Sequence, residues 1–130
     1  MNLEDQVTSL ELSRRLDKLG VRQRSVFNWK THVHPESGEE FLWKLVFGDD
    51  GVDYDKEFSA FTVAELGEIL PDGYHTWRFD YPEGNRKDWA CNPPGDFDKT
   101  KVKYAGTEAD AKSLMFIYLI ENNLLDPKTL

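Results

Sequence analysis

The sequence predicts one α+β domain, with an antiparallel sheet of about four strands packed against an N-terminal helix and an apolar C-terminal helix. Three observations predict this class. Three segments carry a helix-start signature, four segments read as strands, and the strands follow one another mostly as hairpins rather than as βαβ units. A length of 130 residues fits a single domain over 1–130. The predicted order is α-β-β-α-β-β-α.

Each predicted helix follows a Thr that stands three residues before an acid, which is the capping-box pattern. The Thr oxygen accepts from a free first-turn N–H, and the acid suits the positive end of the helix dipole. The Thr/acid pairs are Thr8/Glu11, Thr62/Glu65 and Thr107/Asp110. The predicted helices span residues 9–19, 63–70 and 108–122.

The strands are predicted from alternation of apolar and polar residues. Residues 25–33 and 39–47 alternate on either side of a Pro-Glu-Ser-Gly turn, which predicts a hairpin that is apolar on one face. Residues 74–81 alternate again, and residues 99–105 form a weaker fourth strand. Residues 82–98 hold three Pro and two Gly and are predicted to form a long loop, a feature that is often functional.

The net charge of −8 is unevenly distributed along the chain. Residues 10–30 carry six basic and two acidic side chains (+4), whereas residues 31–73 carry eleven acids and two lysines (−9). A regional field of this kind can steer a partner towards the surface. The simpler alternative is a solvated acidic surface that maintains solubility. The low pI of about 4.8 argues against general nucleic-acid binding, because neutralising phosphates needs clustered Lys and Arg.

The acidic segment is the first candidate site. Its acids would face a basic surface of another protein, and that surface could itself be one that binds nucleic acid. The candidate partner-binding residues are Glu36, Glu39, Glu40, Asp49, Asp50, Asp53, Asp55 and Glu57.

A second candidate site surrounds the predicted loop, where aromatic rings alternate with cations. Such a mixture can stack a base and hold a phosphate, so the alternative function is binding of a nucleotide-like small molecule. The opposing interpretation places Trp77 and Tyr81 in the core. The candidate ligand-binding residues are Trp77, Arg78, Tyr81, Arg86, Lys87 and Trp89.

Residues 10–30 also resemble a helix-turn-helix, which would make the protein a DNA-binding regulator. Two features depart from that pattern. Asp17, Lys18 and Leu19 add about one helical turn before the expected glycine, and the second segment alternates as a strand.

No catalytic residue, metal site or cofactor is predicted, and an enzyme is the least favoured class. His32 and His34 share a strand face, but the partner strand offers no obvious third ligand. Cys91 is the only cysteine, and no predicted helix N-terminus lowers its pKa. No disulfide, secretory signal or membrane span is expected, which indicates the cytoplasm.

The run from Leu114 to Ile120 is apolar around the whole helix. Two interpretations are open. The helix either lies centrally between layers of the fold, or its outer side meets a second copy in a homodimer.

Four segments together resemble a group of small proteins carried by phages and prophages. They cover about half of the chain, at residues 7–12, 19–23, 61–71 and 109–122. The resemblance implies a phage or mobile-element origin and therefore a bacterial host cell. It favours the hairpin over the helix-turn-helix for residues 25–47, and it implies no catalytic residue. The combined expectation is a non-enzymatic accessory protein that binds a host macromolecule.

Overall fold

The computed structural model describes residues 2–80, 87–95 and 99–127. Short 3₁₀ helices lie at Leu3–Gln6 and Lys99–Lys101. The α-helices of the described residues are α1 (Leu10–Lys18), α2 (Val63–Ile69) and α3 (Glu108–Glu121). The strands are β1 (Phe27–Thr31), β2 (Lys44–Phe47), β3 (Lys56–Ser59), β4 (His75–Asp80), β5 (Lys87–Asn92) and β6 (Lys103–Ala105).

The α+β class is confirmed, but the strands form two antiparallel sheets of three strands rather than one sheet of about four. The first sheet has the order β2-β1-β3 and the second has the order β4-β5-β6. The predicted order lacked β3, which lies within the acidic segment 31–73, and β5, which lies inside the predicted loop 82–98. Each of these two strands supplies the third member of its sheet.

The predicted hairpin is confirmed by the pairing of β1 with β2. Phe27 lies opposite Phe47 and Lys30 lies opposite Lys44. Beyond Lys44 the register changes by one residue, because Val33 pairs with Glu40. The extra residue forms a bulge, and the Thr31 hydroxyl donates to the carbonyl oxygen of Phe41 (2.8 Å). Strand β2 is therefore four residues long, shorter than the predicted strand over 39–47.

Helix α3 lies in the centre of the core, which explains why its sequence is apolar on every side. It packs against β4, β5 and β6 on one side and against α1 and α2 on the other. Met115, Phe116 and Ile117 are buried within one chain, so the helix presents no broad apolar face for the predicted homodimer. No helix among the described residues is long and apolar enough to cross a membrane.

The three predicted helix starts differ in how they are capped. The box at Thr62 and Glu65 is complete. At α1 the cap is Ser9 rather than Thr8. At α3 the Thr107 hydroxyl accepts from the Asp110 N–H, but the Asp110 carboxylate accepts from the Ser9 N–H (2.8 Å) instead of from its own cap. Asp110 thus joins the beginnings of α1 and α3, and burial raises the pKa of its carboxyl.

Thr8 connects four parts of the fold while being fully buried. Its N–H donates to the Phe61 carbonyl oxygen (2.8 Å), and its hydroxyl lies 3.0 Å from the Ser113 hydroxyl of α3. Its own carbonyl oxygen accepts from the Trp29 indole N–H of β1 (2.9 Å). The chain before α1 is thereby fixed to the first sheet, to the start of α2 and to α3.

The helix-turn-helix interpretation of residues 10–30 is wrong in its second half. α1 forms, but no helix follows it: residues 21–25 have no regular secondary structure, and residues 27–31 are the central strand of the first sheet. A recognition helix is therefore missing from this segment.

We expect Thr8→Val to lower the free energy of unfolding by about 1–3 kcal/mol, because it removes a buried hydroxyl whose partners stay buried. Urea unfolding followed by circular dichroism measures this change. A double-mutant cycle with Ser113→Ala isolates the contact between the two hydroxyls. A loss below about 0.5 kcal/mol for Thr8→Val would show that Thr8 is not a structural connection.

Candidate functional site: an acidic groove under a crossover connection

The first sheet carries an unusual connection. β2 and β3 are both antiparallel to β1 and lie on either side of it. They therefore run parallel to each other, and the chain must travel back along β1 to join them. A connection of this kind usually contains a helix and a dozen or more residues. Here it consists of residues 48–55, which we call the arch.

The ends of the arch are attached to both ends of β1. The Gly48 N–H donates to the Val26 carbonyl oxygen (2.8 Å), and the Asp55 N–H donates to the Thr31 carbonyl oxygen (3.1 Å). The Asp55 carboxylate also accepts from the Val33 N–H (2.7 Å). The arch thus spans the outer face of the sheet, the face opposite α1.

Aspartates hold the interior of the arch in shape. Asp49 accepts from the Gly51 N–H (2.8 Å) at a residue with a φ of 75°, which favours glycine. Asp50 accepts from the Val52 N–H (3.2 Å) and from the Tyr54 hydroxyl (2.7 Å). The hydrogen bond from Tyr54 lowers the pKa of Asp50 and raises the pKa of Tyr54. The fold therefore uses these two acids as turn-forming residues.

Tyr54 covers the outer face of the sheet near the end of β1. Its ring stacks on His32 with the centroids 4.9 Å apart. The ammonium of Lys30 lies 5.4 Å from the same ring and 3.6 Å from the Glu57 carboxylate. The Lys30 side chain is only 8% exposed, and burying a cation is costly unless it is paired. The Glu57 carboxylate and the face of the Tyr54 ring offset that cost.

Between the arch and the outer face lies an open cavity of about 730 Å³, which we call the arch groove. Four carboxylates line it, from Asp49, Asp53, Asp55 and Glu57, against the single ammonium of Lys30. The lining therefore carries a formal charge of −3. Val26, Phe47 and Val52 also line the groove and are exposed. Acidic and apolar groups together suit a ligand that carries cations beside apolar groups.

The structure separates the eight predicted acids into three sets. Asp49, Asp53, Asp55 and Glu57 line the arch groove. Asp50 shapes the arch through Tyr54. Glu36, Glu39 and Glu40 belong to the hairpin turn or to the residues after it, and they do not line the groove.

Glu40 is used within the fold. Its carboxylate accepts from the Arg14 guanidinium (2.6 Å), the Lys56 ammonium (3.0 Å) and the Trp43 indole (3.3 Å). The hydrogen bonds from Arg14 and then Lys56 lower the pKa of Glu40 to about 2. The Arg14 guanidinium also lies over the Trp43 ring, 4.9 Å from its centroid. Glu40 therefore fastens the hairpin to α1 and is not free to bind a partner.

The second candidate set is only partly brought together. Arg78 and Trp89 are cross-strand partners and line a cavity of about 290 Å³ beside the start of α3. Asp5 and Glu108 line the same cavity. Trp77 pairs with Ala90 and lies on the opposite face of the sheet. Tyr81, Arg86 and the side chain of Lys87 fall outside the described residues.

The histidines and the cysteine carry local structural roles. His34 Nδ1 accepts from the Glu36 N–H (3.3 Å) and the Ser37 N–H (3.4 Å) of the turn. No group of three or more metal-binding side chains occurs in the part of the chain that the structure describes.

Cys91 is buried, and burial raises the pKa of its thiol to about 11. The thiol is therefore protonated at neutral pH and is a poor nucleophile.

The four acids that line the arch groove were predicted from the sequence as partner-binding residues, but the groove itself was not predicted. One local signal could have pointed to it: Phe58 between Glu57 and Ser59 fits a short alternating strand after Asp55. A third strand beside β1 would then need the chain to cross the sheet. No protein-family model, curated protein or solved structure matches the chain. The function is therefore argued from the geometry of the groove.

We expect Glu40→Gln to destabilise the protein at neutral pH and to have little effect near pH 2. Because the pKa is lowered to about 2, the stabilisation from the Glu40 carboxylate is present above its ordinary pKa and is lost as the pH falls through 2. Urea unfolding of both proteins between pH 2 and pH 7 measures the difference. A difference that stays constant over this range would contradict the lowered pKa.

Proposed function

We propose that this protein is a non-enzymatic accessory protein that binds a basic surface of a host protein through the arch groove. The observation that carries the proposal is the convergence of four carboxylates on one cavity with a formal charge of −3. Carboxylates around a concave surface concentrate the field and accelerate the encounter with a cationic partner. Lys and Arg side chains are the natural occupants of such a groove.

The apolar lining supports binding as well as steering. Phe47 is 71% exposed, and Val26 and Val52 are about half exposed. Apolar side chains grouped beside charges are typical of an interaction surface rather than of a surface that only maintains solubility. A basic partner segment with apolar neighbours would cover both kinds of group.

The resemblance to phage-borne proteins supports the cytoplasm of a bacterial host as the setting. With that origin, a non-enzymatic accessory protein would act by engaging a component of the host. Many basic host surfaces bind nucleic acid, and an acidic groove could compete for them.

The experiment compares two matched pairs of substitutions, each of which removes two negative charges. Asp49→Asn with Asp53→Asn alters the arch groove and keeps side chains that can hold the turns, whereas Glu36→Gln with Glu39→Gln alters the exposed hairpin turn. Affinity capture from a bacterial host lysate at increasing salt, quantified by mass spectrometry, measures partner retention. We expect the groove pair to lose on the order of tenfold in retention and to show a weaker salt dependence. The turn pair should retain the partner like the unmodified protein.

Equal retention by all three proteins would contradict the role of the arch groove. A lysate from which the unmodified protein retains nothing at low salt would contradict the proposal as a whole.

The cavity at Arg78 and Trp89 favours a second candidate function, binding of a nucleobase-containing small molecule. The Trp89 ring offers a stacking surface and Arg78 offers a cation. The carboxylates of Asp5 and Glu108 would accept hydrogen bonds from the N–H groups of a base, and they would oppose several phosphates. A nucleoside or nucleotide with few phosphates fits this lining best.

A thermal-shift screen against nucleosides and nucleotides tests the second candidate. A ligand at about 100 times its Kd should raise Tm by about 5–10 °C. Arg78→Gln should reduce that shift, because it removes the cation and leaves the cavity wall in place. A screen in which no compound raises Tm, or in which Arg78→Gln leaves the shift unchanged, would contradict binding at this cavity.

A further inference from the structure

The two edge strands of the first sheet, β3 and β2, differ in whether their outward-facing main-chain groups have hydrogen-bond partners. At the β3 edge, the Ser59 N–H donates to the side-chain oxygen of Gln23 (2.6 Å), so the edge is partly capped. At the opposite edge, β2 is the last strand, and no described strand pairs with its outer side. An open strand edge is a template for another strand.

The register shows which groups are free on this edge. Opposite residues in an antiparallel pair alternate between pairs that exchange hydrogen bonds and pairs that do not. The Gly48 N–H bonds to the Val26 carbonyl oxygen, so Val46 and Lys44, two and four residues earlier, also bond towards β1. Leu45 and Phe47 therefore direct their N–H and C=O groups away from the sheet.

Apolar side chains are exposed along the same edge. Phe47 is 71% exposed at the end of β2, and Leu42 is 91% exposed at the bulge that precedes it. Phe41 is 54% exposed beside Leu42. Three large apolar residues around an open edge exceed the single exposed side chains that are normal on a surface.

The sequence of β2 complements itself when it is reversed. Lys44 begins the strand, Leu45, Val46 and Phe47 form its apolar centre, and Asp49 and Asp50 follow its end. In an antiparallel pair of two such strands, the lysine of each copy lies beside the acidic end of the other. A twofold axis requires this kind of self-complementary surface.

We propose that two copies of this chain associate through β2, which pairs antiparallel with itself around a twofold axis at Val46. Leu45 lies opposite Phe47 of the second copy, so the two outward-facing residues of each strand exchange four main-chain hydrogen bonds in total. The two first sheets become one continuous sheet of six strands. This dimer replaces the one predicted through α3. It does not rest on the function proposed for the arch groove, although Phe47 and Asp49 border both surfaces.

The proposed register can be tested by disulfide formation between cysteines introduced into β2. Val46 lies on the axis and faces Val46 of the second copy in a pair that exchanges no hydrogen bonds. The Cα atoms of such a pair lie about 4.5 Å apart, which is within the range of a disulfide. Lys44 faces Gly48 instead and has no cysteine partner when it is replaced.

The experiment is oxidation of Val46→Cys, with Lys44→Cys as the matched control. We expect Val46→Cys to form a covalent dimer on a non-reducing gel and Lys44→Cys to form at least about tenfold less. The unmodified protein should stay monomeric on the gel, because its single Cys91 is buried. Equal cross-linking of the two variants, or none by Val46→Cys, would overturn the register.

Sedimentation velocity of the unmodified protein provides a second measurement that needs no cysteine. Four hydrogen bonds and a few apolar contacts make a small interface, so we expect a dimer with a Kd of about 10–100 µM. Val46→Lys places two ammonium groups at the axis and should raise Kd at least about tenfold. Leu124→Lys adds the same charge at an exposed residue outside the first sheet and should leave Kd unchanged. A protein that remains monomeric up to about 500 µM would overturn the proposal.

Discussion

The buried contacts of Thr8 are the constraint on which the rest of the structure depends. This residue comes before α1, yet its N–H, hydroxyl and carbonyl oxygen reach Phe61, Ser113 and Trp29. The contacts join segments that are up to 105 residues apart in sequence, and they bring the first sheet and α3 to the same point. The second sheet packs on the other side of α3. The contacts of Thr8 with α3 and with β1 therefore help to fix the position of one sheet relative to the other. The arch groove is positioned by this arrangement, because β1 forms the floor of the groove and its Trp29 donates a hydrogen bond to Thr8.

The elements with strong local signals could be predicted from the sequence, and the elements defined by distant partners could not. The three helices and the first hairpin were predicted, because capping residues and alternation are encoded within a few neighbouring positions. β3 has only four residues, and it becomes a strand because β1 pairs with it. The same holds for β5, which pairs with β4 and β6 although Pro and Gly residues surround it. The groove could not be predicted for the same reason. Its acids are visible in the sequence, but residues 48–55 become an arch over a sheet only because β3 pairs with β1.

The regional charge that the sequence displays is partly used inside the molecule. Arg14, from the basic segment, binds Glu40, from the acidic segment, and Lys30 binds Glu57. Ion pairs therefore join the basic segment 10–30 to the acidic segment 31–73, and the two segments do not form two fully separate charged faces. Three of the other acids, Asp49, Asp53 and Asp55, line the arch groove, where the buried Lys30 is already paired with Glu57. Part of the acidity of the chain is thus gathered at one concave site, and the remaining acids lie elsewhere in the segment.

Strand pairing through β2 would change how the arch groove works. A twofold axis perpendicular to the joined sheet leaves the outer faces of both copies on the same side, so both grooves would open in one direction. A partner with two basic segments could then occupy both grooves, and the second contact would form at a high effective concentration. A weak dimer and a modest groove would together give stronger binding than either contact alone, without any additional interface. If both proposals hold, the acidic groove and the open strand edge would have a common physical consequence: they would favour extended or repetitive basic partners over single isolated cations.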